Sequence, residues 1–333
     1  MTAPFKPPLV PAGFFGIVVG LAGLGNAWRA AHQVWQQAPA LVGEALMVVA
    51  SLVWAMLLVL FLLKWGFARA EAVAEARHPV QCCFISLVGI ATMLIALAAL
   101  PYSRMVTEIL FAVGMCFTLA FALWRTGRLW RGERDQSAAT PALYLPLVGG
   151  GFVTAIVASA LGYPDWGQLA FGIGLFSWLA IESVLLQRLY TAPTTALPLR
   201  PSWGIQLAPP TVGAVAYLSV SGGAPDLFAH ILVGYGLIQA MLLLRLLPWI
   251  MQQPFAVSYW GSTFGISALA TAPVRLVSHG DTGAIAVLAP YLFIGANVAI
   301  GLIALGTLGL ILKGRLLPQG AAAPPQQGVA ARG

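Results

Sequence analysis

Charge is the scarcest property of this sequence. Of its 333 residues only 27 are Asp, Glu, Lys or Arg, or 8%, where about 25% is typical of soluble domains. Cysteine is almost missing as well. Cys82, Cys83 and Cys116 are too few for a disulfide framework and lack CxxC spacing, so they read as small lipid- or core-facing residues. The chain has no HExxH, no GxSxG, no phosphate-cradling GxxxxGK(S/T) and no paired-aspartate motif. These absences exclude a water-soluble globule and give no footing for an enzyme, a metal site or a cofactor. A pI near 9.7 suggests a nucleic-acid binder, but the basic residues are scattered through short loops and form no face that would track a phosphate backbone.

What is present is apolar. Ala, Val, Ile, Leu, Met, Phe, Trp, Tyr and Cys make up 59% of the chain, and the 36 glycines raise that to about 70%. A membrane-crossing helix needs about 20 mostly apolar residues. Ten such runs occur, at roughly 10–28, 39–63, 80–100, 104–124, 142–161, 165–187, 204–221, 226–247, 254–276 and 282–312. The longest apolar stretches break at Pro101-Tyr-Ser-Arg104 and at Gly162-Tyr-Pro-Asp165, where turn residues and a charge coincide. The chain therefore reads as an all-α membrane protein of ten transmembrane helices in five hairpins. Residues 1–9 would be a cytoplasmic N-terminus, 10–312 the membrane domain and 313–333 a disordered cytoplasmic tail rich in Ala, Pro, Gln and Gly.

Ten spans put both ends on one side. Fourteen Lys or Arg residues fall on that side, against Arg29, Arg104 and Arg275 opposite, which makes the termini cytoplasmic. With the acids included, the cytoplasmic side carries +10 and the outer side −2. Eight of the 11 tryptophans lie near predicted helix ends, as an aromatic belt requires.

Each even-numbered span starts on the outer side with an acid, Glu44, Glu108, Asp165, Asp226 or Asp281, in a position to cap the helix or favour its dipole. The odd-numbered spans carry no charge except Arg275 and have Gly and Pro instead: Pro11-Ala-Gly-Phe-Phe-Gly16, Gly89, Pro146 with Gly149-Gly-Gly151, Pro209-Pro210, and Phe264-Gly265. Broken helices at membrane depth are tolerated where freed backbone groups face protein or a watery cavity, so a ring of five bent helices around an axis is one reading and close helix packing the other. Glu182 is the one acid well inside a span, either a proton-coupling site or a hydrogen-bonded strut between helices. The four histidines form no mid-membrane pair that would hold haem.

In their order and spacing, Pro11-Ala-Gly-Phe-Phe-Gly16, Leu143-Tyr-Leu-Pro146, Leu207-Ala-Pro209, Leu244-Arg-Leu-Leu-Pro-Trp249 and Ser262-Thr-Phe-Gly265 resemble the tellurite-resistance/dicarboxylate transporter family, typified by bacterial TehA and related to the slow-type anion channels of plant guard cells. The resemblance implies a homotrimer in a bacterial inner membrane. Each subunit would have its own pore, lined by an inner ring of the five odd helices and enclosed by an outer ring of the five even ones. It also implies a gate, a phenylalanine on the ninth helix that blocks the pore, which carries over to Phe264. Gly13, Phe14, Gly16, Gly89, Pro146, Pro209 and Gly265 would then line or bend the pore. The family's mid-helix prolines are replaced by glycines on helices one and three, and Gly265 beside the plug would leave room for its ring to move.

The function expected from this is a gated channel for small anions such as chloride and nitrate, with Phe264 as plug. The alternative is a proton-coupled exporter of dicarboxylates, tellurite or sulfite that uses Glu182. Small inorganic or organic anions and membrane lipids are the expected partners, with no cofactor and no nucleic acid.

Overall fold

The computed structural model describes residues 8–132 and 138–317. The expected tail therefore lies outside the described residues from position 318 onward. Within them the chain is helical and contains no strand. Its α-helices are α1 (Phe15–Val34), α2 (Ala40–Phe67), α3 (Arg69–Arg77), α4 (Ser86–Ala99), α5 (Arg104–Leu129), α6 (Gly150–Ala160), α7 (Pro164–Thr191), α8 (Ala208–Val220), α9 (Leu227–Ile250), α10 (Thr263–Ser278) and α11 (Ala284–Leu312).

Among the described residues, eight helical segments are long and apolar enough to cross a membrane. The other two spans read from the sequence, at 204–221 and 254–276, centre on α8 with 13 residues and α10 with 16. Each is preceded by a 3₁₀ segment, Leu197–Leu207 or Val257–Ser262. The prolines explain the first of these. Pro209 and Pro210 have no N–H to give the carbonyls of Ile205 and Gln206, so the ladder tightens and Ala208 donates to Ile205 instead. At Pro146 the ladder loosens: Leu145–Gly149 is a π-helical turn, and the N–H of Gly150 reaches back to the carbonyl of Leu145. The link at 64–79 holds a helix, α3, that its polarity had concealed.

The turns follow from local chemistry. Ser103 caps α5 by accepting from the N–H of Val106 at 3.3 Å, and Gly162 reverses the chain before α7 at φ 91°, a backbone conformation few side chains tolerate. The five outer acids divide by role. Asp226 caps α9 by accepting from Ala229, and Asp165 lies in the first turn of α7. Glu44 and Glu108 cap nothing and instead pair with Arg29 and Arg104. Asp281 accepts from Gly283 and pairs with His230 at 2.7 Å, while the N-cap of α11 is Gly283 itself.

Sequence neighbours pack as hairpins: α1 with α2, α4 with α5, α6 with α7, α8 with α9 and α10 with α11. Helices α1, α4, α6, α8 and α10 also touch in succession, α1 against α4, α4 against α6, α6 against α8, α8 against α10, and α10 back against α1. Burial separates the two sets. In the segment containing α4, 89% of the membrane-length window is buried, against 22% for α5 and 17% for α11. Helices α4, α6 and α8 are apolar or small around nearly their whole circumference, as expected where protein rather than water surrounds them, while α1 and α10 each keep a polar strip, Asn26, Arg29 and Gln33 on one and Ser267, Thr271 and Arg275 on the other. Close contact within the hairpins depends on small residues. At Gly89 an added Cβ would lie 2.1 Å from the Thr118 hydroxyl and 2.6 Å from the Gly114 carbonyl.

Candidate functional site

Two cavities lie along the centre of the buried helices. The first, of about 40 Å³, has apolar walls that include Gly16 and Val19 of α1, Ile90 of α4, Phe152 of α6, Pro209 and Val212 of α8, and Phe264 of α10. The second, of about 290 Å³, lies toward the helix ends opposite the chain termini. Its polar lining consists of Asn26, Arg29 and Gln33 of α1 with its C-terminal end, and Ser267, Thr271 and Arg275 of α10. Phe264 borders both. A water occupies roughly 30 Å³ in the liquid, so the first cavity has space for about one small molecule and the second for several. Phe264, Ser267, Thr271 and Arg275 fall on one face of α10 because they are spaced by three and four residues.

Of the residues singled out in the sequence, Gly16, Pro209 and Phe264 meet at the first cavity. Gly13 and Phe14 lie in the 3₁₀ turn Ala12–Phe14 just before α1, where a Cβ on Gly13 would face the ring of Phe84 at 3.7 Å and Phe14 is buried. Gly89 faces α5, away from both cavities. Pro146 borders a separate apolar groove together with Phe111 of α5 and Trp166 of α7. Gly265 does not leave room for the Phe264 ring. Its missing side chain is the space occupied by the backbone of Leu207 and Ala208, which a Cβ would meet at 2.8–2.9 Å.

Glu182 is buried in α7, and its carboxylate is surrounded by donors from four segments. Tyr144 donates at 2.5 Å, Trp178 at 3.0 Å, Tyr235 at 3.0 Å, and the Gln206 amide at 2.9 Å to both oxygens. Both carboxylate oxygens accept hydrogen bonds, so its acceptor capacity is used by the surrounding protein. It ties α7 to α9 and to the segments leading into α6 and α8.

The family described as voltage-dependent anion channel, SLAC1, matches residues 10–308. The chain belongs to that family. It is 35% identical over 311 residues to the tellurite resistance protein TehA homolog of Haemophilus influenzae, with 93% of each chain covered. It is also 24% identical over 279 residues to the guard cell S-type anion channel SLAC1 of Arabidopsis thaliana, which covers 80% of this chain and 49% of the plant protein. An uncharacterized transporter of Methanocaldococcus jannaschii is 22% identical over 232 residues, 62% of this chain. The family is one of membrane anion channels and transporters rather than enzymes.

Other buried polar contacts of this SLAC1-family protein leave no pattern in the sequence. Tyr144, Gln206 and Tyr235 are far from Glu182 along the chain, and the pattern gave no sign that they converge. At the terminal side, Lys64 donates to Glu75 at 2.5 Å and to the Val10 carbonyl at 2.7 Å, while Glu75 accepts from the N–H of Ala12 at 2.7 Å. That buried pair fastens α3 and the end of α2 to the start of α1. Nearby, His78 Nδ1 accepts from the N–H groups of Val80 and Gln81, both at 3.1 Å. Burial lowers the His78 pKa, with the charge of Glu75 opposing.

Proposed function

We propose that this protein is a gated anion channel of the bacterial inner membrane, with one pore per subunit of a homotrimer, both termini in the cytoplasm, and Phe264 as the plug. The pore is the path through the two cavities, lined by α1, α4, α6, α8 and α10. The other five long helices enclose it. The observation that carries this reading is the position of Phe264: its side chain borders both cavities, so displacing one ring would join them. Support for the closed ring comes from the succession of contacts that returns from α10 to α1. The names of the Haemophilus and Arabidopsis relatives favour small anions as the permeant species.

The physics is consistent with conduction. A bare anion in a dry low-dielectric path is prohibitively costly, so an open pore must be wet. Apolar walls without fixed charge at the narrow part hold an anion weakly and allow it to leave quickly. Glu182 acts as a strut in this scheme, because its carboxylate is fully used by donors and lines neither cavity.

The test is voltage clamp in chloride and in nitrate on the wild type and Phe264→Ala. A large anion-selective current in the variant over a quiet wild type is the expected result. No current in either, with the protein verified in the membrane, would overturn the channel reading and leave a coupled carrier.

A further inference from the structure

We infer that Arg275 forms a binding site for a small monovalent anion, a halide or nitrate, in the wider cavity beside Phe264. This site deepens the channel reading and rests on it for its role in transport, though not for its existence.

Three arginines lie toward the face opposite the termini, and two are already used. Arg29 makes a two-pronged pair with Glu44 at 2.7 and 2.8 Å, and its Nη1 and Nη2 also donate to the carbonyls of Leu97 and Ala98 at the end of α4. Arg104 pairs with Glu108 at 2.9 Å and donates to the Leu161 carbonyl. Arg275 differs. Its Nη1 donates to Ser219 Oγ at 2.8 Å and to the Val215 carbonyl at 3.4 Å. Its Nε and Nη2 have no protein acceptor among the described residues, and no carboxylate lies within 4 Å of it. Those unused N–H groups belong to a half-buried residue that lines a cavity of about 290 Å³.

The charge balance of that cavity leads to the ligand. Among the described residues no carboxylate contributes to its walls, and the charge of Arg29 is cancelled by Glu44, so one positive charge remains uncompensated there. The unused prongs of this guanidinium face the cavity rather than a protein acceptor, and an anion is the partner that pairs them most strongly. The planar fork suits a planar oxyanion such as nitrate as well as a halide. The hydroxyls of Ser267 and Thr271 are not rivals, since both donate back to carbonyls of their own helix, at 3.0 and 2.8 Å. Asn26, on the facing wall, has an amide without a protein partner among the described residues and adds N–H donors to the same cavity. A di-anion is disfavoured, because one uncompensated charge matches one negative charge.

On this scheme the pore has a single loading position next to its plug. An anion entering from the side opposite the termini pauses at Arg275 before it meets Phe264, and one leaving is handed to Arg275 as soon as the ring moves. The attraction is limited to one guanidinium that already spends one prong on α8, so release stays fast.

The test uses the full-length protein and bromide as probe. Crystals soaked in bromide are expected to show an anomalous peak beside Arg275 that is lost in Arg275→Gln and kept in Arg275→Lys. Absence of the peak from the wild type would overturn the proposal, as would its persistence in Arg275→Gln. Conductance supplies the second readout: in the Phe264→Ala background, Arg275→Gln should raise the chloride concentration for half-saturation from the outer side about tenfold, the equivalent of about 1.4 kcal/mol. Arg275→Lys should raise it less. An unchanged half-saturation in Arg275→Gln would count against the site. If Phe264→Ala carries no current at all, the channel reading fails while the bromide peak still decides whether the anion site exists. Should Arg275→Gln fail to fold, the wild-type peak and the Lys variant carry the decision.

Discussion

Replacing Glu182 separates two roles for a carboxylate buried in a membrane helix. As a strut, its value lies in five hydrogen-bond contacts from Tyr144, Trp178, Tyr235 and the Gln206 amide. Leucine at this position removes every acceptor and strands four donor groups. Polar contacts inside membranes average about 0.6 kcal/mol each in mutant cycles, which sets a floor of about 2 kcal/mol. Breaking up a buried charged network in one step costs about 3–5 kcal/mol, which sets the ceiling. Glutamine is milder, since it keeps one acceptor oxygen but turns an N–H₂ toward donors on the other side, and about 1–3 kcal/mol should go. The expected order of stability is therefore wild type, Glu182→Gln, Glu182→Leu. Thermal unfolding of the purified protein in one detergent measures it, with anion flux in liposomes recorded alongside. If Glu182→Gln unfolds with the wild type while flux loses all dependence on pH, the strut argument is wrong and Glu182 carries protons.

Other substitutions test the packing and the pairs. Gly89→Val should destabilise the protein or prevent its assembly, because the new side chain would overlap the Thr118 hydroxyl and the Gly114 carbonyl. Gly172→Ala, where a Cβ meets nothing within 4 Å, should leave unfolding unchanged or slightly raised. Replacing Glu44 by Gln should cost about 1–3 kcal/mol, since the Arg29 side chain it neutralises is only 19% exposed and Tyr102 also donates to Glu44. The His78 pKa is lower in the folded protein than its ordinary value near 6.5. Its contribution to stability is therefore present above about pH 6.5 and is lost as pH falls toward the folded value, when Nδ1 gains a proton and can no longer accept from Val80 and Gln81. Unfolding followed from pH 7.5 down to 5 should show that loss in the wild type, and a weaker one in His78→Gln.

Hydropathy and punctuation carried much of the architecture. Uninterrupted apolar runs of about 20 residues have the length and pattern of membrane helices, whose backbone groups are satisfied within the segment, and turns such as Pro101-Tyr-Ser-Arg104 and Gly162-Tyr-Pro-Asp165 divide them. The scarcity of charge in the odd-numbered spans agrees with their burial, and the two charges the buried helices do carry, Arg29 and Arg275, lie near their ends at a cavity. The resemblance carried by short motifs pointed to the family that the full-length comparison established.

Other features were decided only by the tertiary structure. Glycine reads the same in sequence whether it lines a cavity, as Gly16 does, or lets two backbones approach, as Gly89 and Gly265 do, because what it permits depends on the neighbouring chain. Prolines behave alike: Pro209 borders the central cavity and Pro146 an outer groove, a difference set by helix rotation that hydropathy does not record. Three of the four donors around Glu182, Tyr144, Gln206 and Tyr235, come from segments tens of residues away. Arg29 and Arg275 look equivalent as outer basic residues and line the same cavity, yet only Arg29 is paired with a carboxylate, that of Glu44. Composition says which groups must leave water, and burial along each helix follows from it. Which groups then meet is fixed by how the helices pack, and that pairing decides whether a buried charge braces the fold or remains available to an ion.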